Sequence, residues 1–127
     1  MPDAVSPVIP FLHYADLDAT AKWLPRVFGI PLTSLDRDPS GTPVMAVFQH
    51  GNGLIFARQD PGATALTGGR LYVYVDDVDA HHARVRASGV AASDPCDEPW
   101  GDRAYSTRDL QGHPWTFAAP SAARAAP

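Results

Sequence analysis

The sequence has little cysteine and lysine, and it lacks long apolar runs. Cys96 is the only cysteine among 127 residues, which excludes an intrachain disulfide and a cysteine-rich zinc site. Lys22 is the only lysine and the net charge is -4, so the clustered cations that nucleic acids and anionic membranes require are missing. No apolar stretch approaches the roughly 20 residues that span a bilayer, and residues 1–10 do not resemble a signal peptide. We expect a cytoplasmic protein without nucleic-acid or membrane partners.

Turn-forming residues are abundant in this sequence. It contains 13 prolines and 10 glycines, which favour short strands and frequent turns over long helices. Hydrophobic residues make up 45%, close to the share of a folded globular protein. The length fits one domain. We therefore expect residues 1–127 to form a single domain rich in strands.

Two segments about 60 residues apart follow the same pattern, and such an internal repeat is interpreted before any single motif. Asp16–Ala19 and Asp77–Ala80 each follow an alternating strand and have the acidic character of a helix start. Gly29 and Gly89 each follow the apolar stripe of the predicted helix and are typical helix stops. Pro25 lies inside the first helix and is expected to kink or tighten it.

The repeat predicts two tandem modules, each with the order β-α-β-β-β. The first covers about residues 8–59 and the second about residues 70–119, with a connector over 60–69 and a flexible tail over 120–127. In the second module Val90–Ser93 is predicted to be a short edge strand. The predicted fold class is α+β. The two modules would form one curved mixed sheet with helices on its convex face and an open groove on its concave face.

The second module also carries a recognisable series of motifs. Trp100–Arg103 leads to Tyr105–Asp109 and then to Gly112–Phe117. With the repeated module, this series resembles the vicinal-oxygen-chelate superfamily, which includes glyoxalase I, bleomycin and fosfomycin resistance proteins and extradiol dioxygenases. The resemblance covers about residues 8–119 and extends more loosely to the short bleomycin-resistance-like members. It implies a homodimer with ligand grooves between the subunits.

The resemblance also implies where a metal would bind. Enzymes of this superfamily take His and Glu ligands from the first and last strands of each module. The corresponding positions here are Ile9, Phe56, Arg70 and Thr116. Isoleucine and phenylalanine cannot ligate a metal, and an arginine is always cationic and would repel one. We therefore expect no metal and no cofactor, and we favour a protein that is not an enzyme.

Strand alternation places several aromatic and polar side chains on the predicted concave face, where they would line the groove. Aromatic planes with a few polar tips suit flat, conjugated ligands. Some of these residues could instead close the sheet or a dimer interface, and His13 could be a polar residue at the sheet rim. Trp115 and Phe117 are expected to face the helices as core. The candidate ligand-binding residues are Phe11, His13, Phe56, Arg70, Tyr72, Tyr74, Trp100 and Thr116.

No residue is predicted to be catalytic. Cys96 precedes Asp97, and an adjacent carboxylate raises the pKa of a thiol, which is the wrong direction for a nucleophile. The role of Cys96 otherwise stays open. His82 lies on an apolar helix stripe and is expected to be packed, and His113 is expected to serve turn geometry.

The leading functional hypothesis is non-enzymatic binding of a small aromatic or drug-like molecule, with antibiotic resistance by sequestration. The first alternative is a lyase, isomerase or dioxygenase of the glyoxalase type that uses a divalent metal at displaced ligands. The second alternative is a protein-interaction module. The sequence does not identify the ligand or the arrangement of a dimer.

Overall fold

The computed structural model describes residues 6–122, and in it the chain consists of two units. Unit 1 extends to Thr64 and unit 2 begins at Ala65, so the boundary falls inside the predicted connector. Each unit contains one four-stranded mixed sheet and one main helix in the order β-α-β-β-β. The predicted α+β class and the two tandem modules are therefore confirmed.

Unit 1 begins with a strand and a helix and continues with three strands. In the sheet the order is β1-β4-β3-β2, with β1 parallel to β4 and the other pairs antiparallel. Its elements are β1 (Phe11–Tyr14), α1 (Leu17–Trp23), a π-helical turn (Leu24–Phe28), β2 (Leu32–Arg37), β3 (Pro43–His50) and β4 (Gly53–Gln59).

Unit 2 repeats this topology. Its sheet has the order β5-β8-β7-β6, again with one parallel pair, β5 with β8, and two antiparallel pairs. Its elements are β5 (Leu71–Tyr74), α2 (Val78–Ala87), β6 (Cys96–Asp97), β7 (Asp102–Arg108) and β8 (Pro114–Pro120).

Both main helices begin as the sequence predicts. The carboxylate of Asp16 accepts a hydrogen bond from the backbone N–H three residues later at 3.0 Å, and that of Asp77 does the same at 3.1 Å. Each bond satisfies a donor that the first helical turn leaves unpaired. The helical segments end before Gly29 and Gly89, whose φ angles of 70° and 83° lie in the left-handed region that glycine adopts without strain.

Pro25 interrupts the first helix, and of the two predicted effects the tightening is wrong. The α-helix ends at Trp23, and Leu24–Phe28 continue as a wider π-helical turn rather than a tightened one. Proline has no N–H to donate to the preceding turn, so the α-helical ladder is interrupted at this point. The N–H of Gly29 then donates to the carbonyl of Leu24, five residues back.

The predicted edge strand Val90–Ser93 is wrong in position. Within it only Ala92 forms a β-bridge, an isolated one with Thr107, and the paired strand is Cys96–Asp97. One reason lies in the side chains of β7. The hydroxyl of Thr107 donates to the carbonyl of Ala91 at 2.7 Å, which takes that backbone group out of a regular ladder.

Each unit buries an apolar layer between its sheet and its helix. In unit 1 the predicted stripe of α1 and the turn after it is buried, and in unit 2 the ring of Trp115 stacks at 5.8 Å on that of Phe117. Phe117 in turn lies 4.1 Å from the ring of His81 on α2. Trp115 and Phe117 are fully buried, which confirms that they face the helix.

The end of the chain is described as far as residue 122. Pro120 closes β8, and the N–H of Ser121 donates to the carbonyl of Gly101 at 2.8 Å. The remainder of the tail predicted to be flexible, residues 123–127, lies outside the described residues. Over residues 6–122, no helix has the length and apolar character needed to cross a membrane.

Candidate functional site

The strands of unit 2 bring polar side chains together on the side of the sheet that faces away from α2, here called the site face. Tyr72 pairs with Thr116 across β5 and β8, and Thr116 pairs with Ser106 across β8 and β7. The hydroxyls of Thr116 and Ser106 are hydrogen-bonded at 3.1 Å, and the guanidinium of Arg70 donates to the Thr116 hydroxyl at 3.3 Å. Hydroxyl groups therefore form the middle of the site face.

A buried carboxylate organises the aromatic part of the site face. The phenol groups of Tyr72 and Tyr74 both donate to Oδ2 of Asp102, at 2.6 and 2.7 Å. Asp102 is only 1% exposed. The indole N–H of Trp100 donates to the Tyr72 oxygen at 3.0 Å. Hydrogen bonds thus link Asp102, Tyr72, Tyr74 and Trp100, which are here called the Asp102 cluster.

The Asp102 cluster fixes its rings while leaving their faces accessible. Tyr72, Tyr74 and Trp100 are 40%, 47% and 59% exposed, although each of them uses its polar atom in a hydrogen bond within the cluster. Burial, together with the bond to Asp102, raises the pKa of Tyr72 above its ordinary value of 10.0. Tyr72 therefore stays protonated at neutral pH and keeps its role as a donor.

A pocket of about 400 Å³ lies beside the cluster, within unit 2. This volume is in the range of small-molecule sites. Four of the predicted ligand-binding residues line it: Arg70, Tyr72, Trp100 and Thr116. The other lining residues are Ser93, Cys96, Glu98, Ala104, Tyr105 and Ser106.

Three predicted site residues lie in unit 1. Phe11 is 51% exposed and meets Phe56 edge to face with 6.2 Å between the ring centroids. The ring of His13 is 5.9 Å from that of Phe11, and its Nδ1 is 2.9 Å from a carboxylate oxygen of Asp60. The alternation of side chains along β1 and β4 thus brings these three residues to one face of their own sheet. Their part in binding stays a prediction.

The four positions that the resemblance aligns with the superfamily's metal ligands carry side chains that do not suit a metal. Ile9 and Phe56 have no donor atom in their side chains, and the Arg70 guanidinium is cationic and bonded to Thr116. The single hydroxyl of Thr116 is shared between Arg70 and Ser106. Within residues 6–122 there is no group of three or more His, Cys, Asp or Glu side chains arranged to hold a metal ion.

Cys96 is exposed and carries a raised thiol pKa, in the predicted direction. The main cause is the hydrogen bond from its Sγ to Glu98, at 3.1 Å, and the adjacent Asp97 adds a smaller effect. The sequence therefore predicts the direction correctly but names the lesser of the two carboxylates. A thiol held in this way is a weak nucleophile at neutral pH.

The predicted turn role of His113 is confirmed. It is buried, its backbone N–H donates to the Asp109 carboxylate at 3.0 Å, and its Nδ1 accepts from the N–H of Leu66 at 2.9 Å. Asp109 also accepts from the indole of Trp115 at 3.0 Å. The motif that carries the family resemblance therefore holds the turn before β8 in place.

His82 is packed as predicted, against the ring of Tyr105 with 5.0 Å between the centroids. Its Nε2 is buried and has no hydrogen-bond partner in the described part of the chain. The neighbouring His81 has its Nδ1 2.6 Å from the Tyr105 hydroxyl. Both histidines belong to the layer between α2 and the sheet and lie away from the site face.

Sequence reasoning missed the contribution of β7 to the site. Asp102, Ser106 and Arg108 all lie on the site face, because they share the parity of the strand. The sequence does contain a signal for this face. Side chains alternate along Asp102–Arg108, and pairing Ser106 with Thr116 of β8 assigns every second residue of β7 to the site face. What the sequence does not reveal is that the Asp102 carboxylate is buried beneath two tyrosines.

The fold and the motifs define the class of protein. The family model for the Glyoxalase/Bleomycin resistance protein/Dioxygenase superfamily matches residues 10–117. The chain therefore belongs to this superfamily, and the resemblance in its motifs is confirmed. No curated protein matches the chain.

Solved structures include several similar proteins. TioX from Micromonospora sp. ML1 is 36% identical, with 91% of this chain and 98% of that chain covered and a TM-score of 0.73. TnmS3, an antibiotic binding protein from Streptomyces sp. CB03234, is 23% identical, with coverage of 93% and 98% and a TM-score of 0.73. A glyoxalase-related enzyme from Clostridium phytofermentans is 21% identical, with coverage of 91% and 95% and the same TM-score.

Proposed function

We propose that this protein binds a small, flat aromatic or drug-like molecule in the pocket of unit 2 and does not transform it. The observation that carries the proposal is the Asp102 cluster, in which exposed aromatic rings are held by a buried carboxylate. Rings that are fixed before binding lose little conformational entropy when a ligand stacks on them. Aromatic stacking then contributes favourable contact area at low cost.

The remaining polar groups of the pocket support recognition rather than catalysis. The hydroxyls of Ser106 and Thr116 can bond a ligand's polar edge beside the aromatic surface. Cys96 is a poor nucleophile because its thiol pKa is raised, and the family's metal positions lack suitable ligands. A site with these properties holds a molecule and leaves it unchanged.

Antibiotic resistance by sequestration is the biological role that we propose for this binding. The superfamily's name includes bleomycin resistance proteins, and TnmS3 is described as an antibiotic binding protein. We also propose that the chain forms a homodimer and that Phe11, His13 and Phe56 of unit 1 contribute to binding. Light scattering at micromolar concentration should then give about twice the mass of 13.6 kDa.

A panel of planar aromatic antibiotics and dyes tests the proposal. A compound present at a hundred times its Kd should stabilise the protein by about 2.7 kcal/mol and raise the melting temperature. The compound should then be recovered chemically unchanged after prolonged incubation. Absence of any stabilising compound in a broad panel would contradict binding.

A metal-dependent enzyme is the second candidate, because one structural relative is described as a glyoxalase-related enzyme. The same incubation, repeated with added Zn, Ni, Mn or Fe, separates the two functions. Conversion of a bound compound that stops when the metal is chelated would establish the enzyme and overturn sequestration. Unchanged recovery under every metal would support binding alone.

A further inference from the structure

Two arginines, Arg70 and Arg108, lie on the site face of unit 2. In the part of the chain that the structure describes, neither Arg70 nor Arg108 forms an ion pair with a carboxylate. Arg37 and Arg103, by contrast, each bond an aspartate. Exposed arginines commonly lack acidic partners. The missing ion pairs therefore indicate a binding site only if the two side chains can reach the same ligand group.

The sheet register places the two arginines on opposite sides of β8. Arg108 pairs directly with Pro114, the first residue of β8. Arg70 precedes β5, the other neighbour of β8, and its guanidinium reaches the hydroxyl of Thr116 on the site face. Because neighbouring strands lie about 5 Å apart, the two backbones are about 10 Å apart and their long side chains can approach one ligand group.

The cavities of unit 2 meet at the same place. A pocket of about 600 Å³ and another of about 500 Å³ are both lined by Arg70, Arg108 and Pro114. The larger of the two also shares Arg70, Ser93 and Ser106 with the pocket beside the Asp102 cluster. The site face therefore has a cationic end next to its aromatic end, with hydroxyl groups between them.

The guanidinium groups retain donors for a ligand. The structure gives Arg70 one bond, to the Thr116 hydroxyl, and Arg108 one bond, to the carbonyl of Gly112 at 2.9 Å. Each guanidinium has several further N–H donors in a planar fork that matches a carboxylate. The two pockets that both arginines line contain no aspartate or glutamate, whereas the pocket beside the cluster contains Glu98, so an anion is favoured at the arginine end of the site face.

We propose that the ligand of the site face is an aromatic molecule that carries a carboxylate. Its ring lies in the pocket beside the Asp102 cluster, and its carboxylate lies between Arg70 and Arg108. This inference rests on the proposed binding function and specifies the chemical class of the ligand. It assigns a role to Arg108, which lies outside the pocket next to the cluster.

The test compares two probes of the same shape by isothermal titration calorimetry: naphthaleneacetate and its uncharged amide, naphthaleneacetamide. The wild-type protein should bind the acid about fivefold to tenfold more tightly than the amide. Arg70→Gln combined with Arg108→Gln should abolish this preference, because it weakens binding of the acid more than binding of the amide. The preference should also weaken as salt concentration rises.

A second double variant controls for net charge. Lys22→Gln combined with Arg84→Gln removes two positive charges from exposed positions on α1 and α2, and neither residue lines any of the three pockets of unit 2. It should keep the preference for the acid, and loss of the preference in this variant would overturn the inference by making it a general charge effect. Circular dichroism spectra of both double variants check that they are folded.

The outcomes separate this inference from the proposed function. Equal affinities of the wild type for acid and amide, with both lowered by Trp100→Ala, would overturn the carboxylate inference and support aromatic binding. Failure of both probes to bind at millimolar concentration would contradict the aromatic site itself. A preference for the acid that survives in the Arg70 and Arg108 double variant would also overturn the inference.

Discussion

The two units share a topology but present different chemistry on equivalent faces. Where unit 2 places Tyr72 beside Thr116, unit 1 places Phe11 beside Phe56, in the same parallel register of its first and last strands. The face of unit 1 carries two phenylalanine rings in edge-to-face contact, with His13 and Arg58 as paired polar members beside them. The corresponding face of unit 2 carries phenols, hydroxyls and a buried carboxylate.

This difference shows which features belong to the scaffold and which belong to a site. The helix caps, the glycine stops and the buried layer against the helix occur in both units, so they maintain the fold. The Asp102 cluster occurs in unit 2 alone among the described residues, since the equivalent position in β3 is Pro43. Fold alone does not determine function in such a family, and the face that differs is the better guide.

The largest effect is expected from Trp115→Ala in the buried layer of unit 2. The side chain is fully buried and bonds Asp109, so its removal should cost about 3–5 kcal/mol of stability. Ile55 occupies the equivalent position in unit 1, and Ile55→Ala should cost less because it removes fewer atoms and no hydrogen bond. Urea denaturation followed by circular dichroism measures both losses. A smaller loss for Trp115→Ala would contradict the equivalence of the two layers.

The next largest effect is expected at Asp102. Asp102→Ala removes the acceptor for Tyr72 and Tyr74 and should lower the unfolding free energy by about 1–3 kcal/mol. It should also weaken binding of a planar aromatic compound, because the rings lose their fixed positions. Asp102→Asn keeps the shape and one acceptor and should fall between the wild type and the alanine variant. Unchanged binding in a folded alanine variant would show that the cluster only stabilises the sheet.

A binding measurement on exposed aromatic residues compares the two faces directly. Trp100→Ala should weaken binding of a planar aromatic compound by about 1–2 kcal/mol, with little change in stability. Phe11→Ala should have a smaller effect, because its ring packs edge to face on Phe56 and no hydrogen bond fixes it. Leu110→Ala is the control, since this exposed apolar residue lies in the turn before β8 and outside the pockets. Equal weakening in the Trp100 and Phe11 variants would mean that both faces take part equally.

The repeat and its helix boundaries could be predicted because they depend on local chemistry. Asp16 and Asp77 cap helices through bonds to residues three positions away, and Gly29 and Gly89 adopt a conformation that other residues avoid. Strand alternation likewise separates buried from exposed positions within one element. The alternation correctly places Phe11 and Tyr72 on faces away from the helices.

The missed features depend on contacts between distant parts of the chain. The position of β6 is determined by where Cys96–Asp97 meets β7, and bonds from β7 side chains to the preceding segment are not visible in the sequence. Asp102 is adjacent to a turn and looks like an ordinary surface acid. Its burial depends on Tyr72 and Tyr74, which lie about 30 residues earlier. That Arg108 forms no ion pair with an acid of residues 6–122 depends on the assembled face as well.

The aspartate in the first turn of each main helix forms an ion pair with an arginine, on β2 in unit 1 and on β7 in unit 2, and these two pairs allow the most sensitive comparison. Asp18, in the first turn of α1, accepts from the Arg37 guanidinium of β2 at 3.2 Å. Asp79, in the first turn of α2, pairs with Arg103 of β7 at 3.1 Å. In each case the hydrogen bond to the arginine lowers the pKa of the carboxyl below its ordinary value of 3.8. Arg103 has a second partner in Asp97, whereas the structure gives Asp18 as the one carboxylate paired with Arg37.

Replacing each aspartate with asparagine should therefore have a small effect that depends on pH and differs between the units. A carboxyl with a lowered pKa in the folded state contributes stability above pH 3.8, and this contribution disappears as the pH falls through its folded-state pKa. Asp18→Asn and Asp79→Asn should thus lower the melting temperature at pH 7 and approach the wild type as the pH falls well below 3.8. The decrease should be smaller for Asp79→Asn, because Arg103 keeps Asp97, and both decreases should shrink in high salt. Thermal unfolding between pH 2 and pH 7 measures this, and a decrease that persists unchanged at low pH would show that ionisation of the carboxylate is not its cause.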